Sequence, residues 1–313
     1  MTNKLALSVI IPISEMRYED ISPLYTKYKE TIETYTKDFE FIYVLDGQYP
    51  QLKDDLEKLI EQGEKIRVIC LAKSFGEATA LKIAHENSNG ETILTLPAYQ
   101  QVELEKIPLV LKEIEKHDMV IVRRFPRHDS SINQFQSNVL HKIVNYGSKF
   151  KANDIGCGVR AFKRQILDEV NLYGDQHRFL PFLAYHKGFK VTEIHIPQSK
   201  HEPFRRKHPI GVYLRRLLDI LVVTFLVKFT KKPIRFFGLI GSGIIVAGLL
   251  GLIYLVIDRL VFGGALADRP ALFLSSLLLV LGVQVLAIGL IGEIIIFTHA
   301  KEMKEYTIEE IIN

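Results

Sequence analysis

Apolar and polar stretches alternate along the first 125 residues with the spacing of successive β-strands and α-helices. Short apolar runs predict strands buried on both faces at Leu5–Ile11, Phe39–Leu45, Ile66–Leu71, Glu91–Leu96 and Met119–Val122. The longer, more polar stretches between them predict helices at Asp20–Thr36, Gln51–Gln62, Phe75–Asn87 and Pro108–Lys116. This rhythm predicts an α/β fold with a mostly parallel, Rossmann-like sheet and helices on both faces.

The last third of the chain has a different pattern. Phe236–Ile257 and Ala271–Gly292 are uncharged runs of 22 residues each, long enough to cross a hydrocarbon core of about 30 Å. They predict a transmembrane hairpin. The apolar run Ile220–Val227 is too short to span, so we expect it to lie in the membrane interface.

These patterns divide the chain into four segments. We expect a globular domain at 1–205, juxtamembrane interfacial helices at 206–233, two transmembrane helices within 234–298 (about 236–257 and 271–297), and an amphipathic tail at 299–313.

Charge predicts the orientation. The formal net charge is +4, and the basic residues are concentrated next to the spans: Arg205, Arg206, Lys207, Arg215, Arg216, Lys228, Lys231, Lys232 and Arg235 before them, Lys301 and Lys304 after them. The loop Asp258–Pro270 has no net charge. We therefore expect a multi-pass protein of the inner or plasma membrane with both termini and the globular domain in the cytoplasm. Because these charges adjoin a membrane span, we expect no nucleic-acid partner.

Candidate chemistry lies at the carboxyl ends of the predicted strands, where such sheets bind ligands. Asp46-Gly47 follows the second strand and suits a nucleoside, although the pair is equally typical of a turn. Lys73–Gly76 opens a helix and suits an anion or a plain helix cap. Arg123, Arg124 and Arg127 suit a diphosphate, the alternative being a solvated surface patch.

Farther along, Asp154–Phe162 packs small residues around one aspartate and one arginine, which favours either close backbone approach to a ligand or a glycine-rich turn into a strand. His177-Arg178-Phe179 and His201 are typical of structural positions. No group has metal-ligand spacing. The two cysteines indicate a reducing compartment, and Cys70, in an apolar run, is expected in the core.

Together these motifs resemble the membrane-anchored family-2 glycosyltransferases that load sugars onto polyprenyl (dolichyl or undecaprenyl) phosphate. Ser8–Pro12 is similar to the family's opening strand, Val44–Gly47 to its Val-Asp-Asp-Gly, and Leu71–Gly76 to its Leu-Ser-Arg-Asn-Phe-Gly. Asp154–Phe162 resembles Asp-x-x-Cys-Gly-Phe-Arg/Lys-x-Phe, and Gly289–Glu293 resembles Gly-Leu-Ile-Gly-Glu. The resemblance implies a GT-A-type fold and covers nearly the whole chain.

The resemblance also implies roles for individual residues. It implies catalytic roles for Asp154, Arg123, Arg124 and Arg160, donor binding by Pro12, Asp46, Lys73, Gln101 and Arg127, and binding of the lipid phosphate by Arg205, Arg206 and Lys207. The implied partners are a nucleotide-sugar, a polyprenyl phosphate lipid and the membrane. The resemblance also implies a homo-oligomer of four subunits.

The sequence departs from the family at the metal site. Where the family reads Asp-Ala-Asp-Leu-Gln-Asp-Pro-Pro, with aspartates that hold a divalent ion, this chain reads Pro97-Ala98-Tyr99-Gln100-Gln101-Val102-Glu103-Leu104. Mg²⁺ or Mn²⁺ stays open as a cofactor, but its Asp-x-Asp ligands are absent and we assign no metal ligand.

Two hypotheses follow. In the first, the chain is a sugar transferase that acts without a metal, with arginine and lysine side chains replacing the ion's charge. In the second, it is a catalytically inactive homologue that serves as a binding or scaffolding subunit for lipid-linked glycan assembly or for a flippase.

Overall fold

The five apolar runs of the N-terminal region form strands close to their predicted bounds. The computed structural model describes residues 5–14, 20–126, 150, 152–170, 172, 176–200, 233–263 and 269–299. The strands are β1 (Leu5–Ile13), β2 (Phe39–Leu45), β3 (Ile66–Cys70), β4 (Gly90–Thr95) and β5 (Met119–Arg124). Each end lies within about two residues of its predicted position, well inside the usual uncertainty of element boundaries.

The predicted helices form between these strands: α1 (Ile21–Glu33), α2 (Pro50–Glu61), α3 (Glu77–Glu86) and α4 (Ile107–Glu113). In α1, Leu24, Tyr25, Tyr28 and Ile32 recur at helical spacing and are all buried, so this helix packs one face on the sheet. Helix α1 ends earlier than predicted because the backbone N–H groups of Tyr35 and Thr36 both bond to the Ile32 carbonyl and close a turn.

Two further strands complete the sheet. They are β6 (Arg160–Lys163) and β7 (Val191–Ile196), and α5 (Gln165–Glu169) and α6 (Leu180–His186) lie between them in the chain. The described strands form one sheet in the order β3-β2-β1-β4-β6-β5-β7. Strand β6 runs antiparallel to both β4 and β5, and the other pairs are parallel. The prediction of a mostly parallel sheet with helices is confirmed.

The main core lies on one face of this sheet, where side chains of β1, β2, β4 and β5 pack against α1 and α4. Cys70 does not belong to it. We expected Cys70 in the core, but it is exposed, because β3 is an edge strand and its alternate side chains meet solvent. Cys157, by contrast, is buried in the core cluster.

A second compact unit contains the two apolar helices. These are α7 (Pro233–Phe262) and α8 (Pro270–His299), and both have the length and composition to cross a membrane. They approach each other closely at two glycines, since a Cβ on Gly241 would lie 2.8 Å from the Gly282 carbonyl oxygen. Small residues at such contacts let helix backbones pack directly.

The helices are longer than predicted. Helix α7 continues through Asp258 and Arg259 to Phe262, so the connection is shorter than Asp258–Pro270. Asp258 pairs with Arg269 across this connection, which lets charged residues remain at the helix ends. The juxtamembrane helices expected at 206–233 and the tail at 299–313 lie almost wholly outside the described residues.

Candidate functional site

Most of the candidate residues meet at one edge of the sheet. Strands β1 to β4 are parallel, and β5 runs in the same direction because β6, which lies between β4 and β5, is antiparallel to both. The carboxyl ends of β1 to β5 therefore share one edge of the sheet. Strand β6 runs the other way, and its first residue, Arg160, pairs with Thr95 and Ile121 near the ends of β4 and β5. Ligands of parallel α/β sheets bind at this edge.

Asp46, at the end of β2, organises the loop that follows β3. Its carboxylate accepts hydrogen bonds from the backbone N–H of Phe75 (2.6 Å), the backbone N–H of Gly76 (2.8 Å) and the Ser74 hydroxyl (3.0 Å). Asp46 is 1% exposed. Gly76 has a φ of +95°, a conformation that suits glycine and lets the chain turn directly into α3. Both oxygens of Asp46 therefore hold this loop.

The loop presents two exposed side chains. The Lys73 ammonium lies 5.3 Å from the centroid of the Phe75 ring, and both residues are exposed, a cation–π arrangement. The predicted donor residue Pro12 lies near the end of β1, paired with Val44 of β2. Pro12, Asp46 and Lys73 thus belong to neighbouring strand ends.

The exit of β4 is held from two sides. The Tyr28 hydroxyl of α1 lies 2.9 Å from the Pro97 carbonyl oxygen and 3.1 Å from that of Tyr99. From the other side, Gln101 accepts a hydrogen bond of 2.7 Å from the Gly158 N–H. Gln101 is almost fully buried, so it joins this segment to the loop before β6.

Arg124 and Asp154 form a buried ion pair. Arg124 Nε lies 2.7 Å from Asp154 Oδ2, and Arg124 Nη2 lies 2.9 Å from Asp154 Oδ1. The Arg124 backbone N–H also donates to Asp154 Oδ2 at 3.2 Å. Such two-point geometry is the strongest arrangement for arginine and carboxylate. The structure therefore brings two predicted catalytic residues into direct contact and balances their charges.

Arg123 and Arg124 do not act as one cationic group. They are consecutive residues of β5, so their side chains lie on opposite faces of the sheet. Arg123 is partly exposed, its guanidinium 5.3 Å from the Phe125 ring centroid, and its strand partner is His195 of β7.

Arg160 is buried and its guanidinium donates three hydrogen bonds to backbone carbonyls, those of Cys157 (3.1 Å), His177 (2.5 Å) and Ile155 (3.0 Å). Burial lowers the pKa of Arg160. These bonds join the loop before β6 to the 3₁₀ turn Gln176–Phe179. The buried Arg160 side chain therefore holds these two segments of the site together.

Glu77 was not singled out from the sequence. It begins α3, and its Oε2 lies 3.1 Å from His177 Nε2. Burial would raise the pKa of Glu77, but His177, with Arg178 and Arg160, outweighs burial and lowers the pKa to about 2. An acid in the first turn of a helix directly after a glycine is the sequence signal that could have drawn attention to it.

Glu193 of β7 was also missed. It accepts hydrogen bonds from Asn153 and from the backbone N–H of Asp154. Only the folded sheet brings this strand beside that loop, so the sequence offers no local signal.

The described residues at this edge do not fit a divalent metal. The side chain of Pro97 has no atom that could ligate a metal, and the Tyr99 hydroxyl lies 3.3 Å from Gln101 Nε2. Asp46 holds the β3–α3 loop and Asp154 pairs with Arg124. Within the described residues, no group of three or more His, Cys, Asp or Glu could hold a metal ion. Hard divalent ions such as Mg²⁺ prefer oxygen ligands, usually carboxylates.

Four predicted site residues lie outside the described residues. They are Arg127, assigned to the donor, and Arg205, Arg206 and Lys207, assigned to the lipid phosphate.

The sequence of the chain is similar to those of several known proteins. The family model described as Glycosyl transferase family 2 matches residues 8–170. The dodecaprenyl-phosphate galacturonate synthase of Rhizobium johnstonii is 26% identical over 306 residues, covering 95% of this chain and 90% of the relative. The undecaprenyl-phosphate 4-deoxy-4-formamido-L-arabinose transferase of Photorhabdus laumondii subsp. laumondii is 29% identical over 311 residues, covering 98% of this chain and 94% of the relative.

Among solved structures, the crystal structure of glucosyl-3-phosphoglycerate synthase from Mycobacterium tuberculosis aligns with a TM-score of 0.49 and 13% identity. That alignment covers 71% of this chain and 80% of the other.

Proposed function

The chain belongs to glycosyl transferase family 2, and on this premise we propose that it transfers a sugar from a nucleotide-sugar to a polyprenyl phosphate at the membrane. One observation carries the proposal. The similarity to polyprenyl-phosphate sugar transferases extends over nearly the whole chain, so it includes both the globular domain and the two apolar helices.

The reaction makes modest demands on a base. A phosphate monoester carries about −1.5 to −2 charge at pH 7, so one of its oxygens can attack the anomeric carbon without a strong general base. The bond between that carbon and the nucleoside diphosphate breaks, and the site must stabilise the negative charge of the leaving group.

We assign that stabilisation to cationic side chains. Lys73 and Arg123 are exposed or partly exposed near the strand ends, and Arg127 follows in the chain. The Arg124–Asp154 pair and Arg160 shape the site, and Pro12, Asp46 and Gln101 line the donor side. In this assignment these cations carry the charge compensation that a metal ion would otherwise supply, and transfer proceeds without a metal.

The proposal extends to topology and assembly. Two spans, with the globular domain and both termini in the cytoplasm, would place the acceptor phosphate and a cytoplasmic donor on the same side of the membrane. Arg205, Arg206 and Lys207 would hold the lipid phosphate. A homo-oligomer stays a prediction, which mass measurement of the detergent-solubilised protein would test.

The test is transfer by detergent-purified protein. UDP-, GDP- and CMP-sugars would be supplied with undecaprenyl or dolichyl phosphate, once with Mg²⁺ and Mn²⁺ and once with EDTA. Donor binding would be followed in parallel by thermal stability, since a ligand at 100 times its dissociation constant stabilises by about 2.7 kcal/mol.

We expect a lipid-linked sugar from one donor, formed equally in EDTA. Product that requires a metal would keep the transferase and overturn metal independence. If the protein forms no product and no donor stabilises it, the proposal is overturned and the scaffolding subunit is favoured.

A further inference from the structure

The Arg124–Asp154 pair depends on a residue that neither the sequence motifs nor the comparisons assign. Asp154 lies in an irregular stretch, 152–159, whereas Arg124 is the last residue of β5. A buried ion pair stabilises only with good geometry, because both charges have lost water. The irregular stretch must therefore be fixed relative to β5.

Glu193 makes that connection. Its Oε1 accepts the backbone N–H groups of Asn153 (2.7 Å) and Asp154 (3.3 Å), and its Oε2 accepts the Asn153 side-chain amide (2.6 Å). One carboxylate thus holds two consecutive backbone N–H groups and an adjacent side chain. This fixes the direction of the chain at the residue whose carboxylate faces Arg124.

The same strand ladder positions both partners of the pair. Strands β5 and β7 are parallel, with Ile121 opposite Glu193 and Arg124 opposite Ile196. Arg124 belongs to this ladder directly, and Asp154 is attached to it through Glu193.

We propose that Glu193 is a positioning residue that sets the Asp154 carboxylate against Arg124 and thereby keeps the charged centre of the site ready for sugar transfer. This inference rests on the proposed function. Glu193 acts through Asn153 and the backbone of Asp154, and it has no role in the bonds made or broken.

The test uses full-length protein in detergent and five variants, one of which combines two substitutions. Glu193→Ala removes the acceptor, whereas Glu193→Gln keeps an oxygen for the two backbone N–H groups. Asp154→Asn weakens the pair itself and is combined with Glu193→Ala. Asp118→Ala is the matched control, because Asp118 precedes β5 at the opposite edge of the sheet and also joins strands, accepting from Lys163 (2.7 Å) and from the Lys190 N–H (2.8 Å).

We expect Glu193→Ala to lower kcat/KM by about 10-fold or more, since small displacements of the groups that shape a catalytic site cost this much. Glu193→Gln and Asp118→Ala should stay within about 3-fold of the parent protein. In the Asp154→Asn background, adding Glu193→Ala should lower kcat/KM by less than a further factor of about 2, because the effects of residues that act through one another are not additive. Additive losses, or equal losses in Glu193→Ala and Asp118→Ala, would overturn the proposal.

A second readout does not depend on turnover. The Arg124 backbone N–H donates to Asp154 Oδ2, so its hydrogen exchange reports whether that carboxylate is in place. Glu193→Ala should speed exchange at Arg124 as well as at Asn153 and Asp154, while Glu193→Gln restores protection. Unchanged exchange at Arg124 would refute positioning even in an active enzyme. Absence of transfer by the parent protein would refute the proposed function alone.

Discussion

The carboxylate of Asp46 has two interpretations that can be separated. It could contact a nucleoside, as the family resemblance implies, yet its two oxygens already accept three hydrogen bonds from residues 74–76. Its side chain is buried, so its first effect is on the shape of the β3–α3 loop and on where Lys73 and Phe75 lie.

Asp46→Asn should destabilise the protein by about 1–3 kcal/mol, because an amide N–H₂ would face a buried donor. Ser74→Ala, which removes one of the three bonds, should cost less. Thermal unfolding with and without the donor measures both. Unchanged stability together with lost donor binding would instead assign Asp46 to the nucleoside.

Protonation of Glu77 is one specific cause of the loss of folding stability that we expect at acidic pH. Its pKa in the folded protein is about 2, below the ordinary value of 4.5. A carboxyl with a depressed pKa stabilises the folded state above its unfolded pKa, and this contribution is lost as the pH falls from about 4.5 through 2.

Glu77→Gln should therefore lower stability at neutral pH and flatten its dependence on pH between 4.5 and 2. Glu86→Gln, at the exposed end of the same helix, is the control and should keep the slope of the parent protein. Unfolding transitions across this pH range give the comparison. Parallel curves for Glu77→Gln and the parent would contradict the assignment.

At the scale of elements, two buried tyrosines form a matched pair. Tyr28 of α1 bonds to the segment that leaves β4. The hydroxyl of Tyr43, in β2, is buried without a hydrogen-bond partner among the described residues.

Tyr28→Phe should cost about 1 kcal/mol and reduce transfer, because α1 no longer holds the β4 exit. Tyr43→Phe removes an unsatisfied polar group and should be neutral or stabilising by up to about 1 kcal/mol. Chemical denaturation measures both changes. A larger loss from Tyr43→Phe would mean that its hydroxyl has a partner in the working protein.

The two apolar helices, α7 and α8, provide another pair of residues to compare. A Cβ on Gly282 would lie 2.6 Å from Ile245 Cγ1 and 2.9 Å from the Gly241 carbonyl oxygen, whereas a Cβ on Gly243 meets nothing within 4 Å. Gly282→Ala should separate α7 from α8 and cost about 1–3 kcal/mol. Gly243→Ala should be neutral or stabilising by up to about 1 kcal/mol. Thermal unfolding in detergent ranks them, and equal effects would contradict this packing.

The sequence predicted the elements whose pattern is local. Strands β1 to β5 and helices α1 to α4 lie where periodicity placed them, because the pattern that predicts each element is contained within its own segment of the sequence. Strand β6 was expected only as one reading of the Asp154–Phe162 stretch, and its place between β4 and β5 depends on long-range antiparallel pairing.

The site shows the same division. The strand ends predicted which segments converge, since parallel strands share an edge. Contacts across the sheet were not predictable: Arg124 with Asp154, Glu77 with His177, and Glu193 with Asn153 each join residues at least 30 positions apart. Strand alternation could have separated Arg123 from Arg124 had the strand been extended by two residues.

For the whole molecule, the two cysteines offer a test of topology without any substitution. Cys70 is exposed and Cys157 is buried, and burial raises the pKa of the Cys157 thiol to about 12. A membrane-impermeant maleimide should therefore label Cys70 and spare Cys157 in folded protein, because the thiolate is the reactive form.

In sealed vesicles the labelling reports orientation. Inverted vesicles should react at Cys70 and right-side-out vesicles should not, if the globular domain faces the cytoplasm. Denatured protein, in which both thiols react, calibrates the signal. Labelling of Cys70 in right-side-out vesicles alone would reverse the proposed topology.

The position of β6 also determines when the sheet can be completed during synthesis at the ribosome. Strands β3, β2, β1 and β4 are complete after residue 95, but β4 and β5 become joined only when Arg160–Lys163 pairs between them. Until then a nascent chain carries β4 as an open edge, the kind of surface that recruits other chains. Fragments that end between β5 and β6 should therefore aggregate, and chaperone dependence should fall once β6 has been translated.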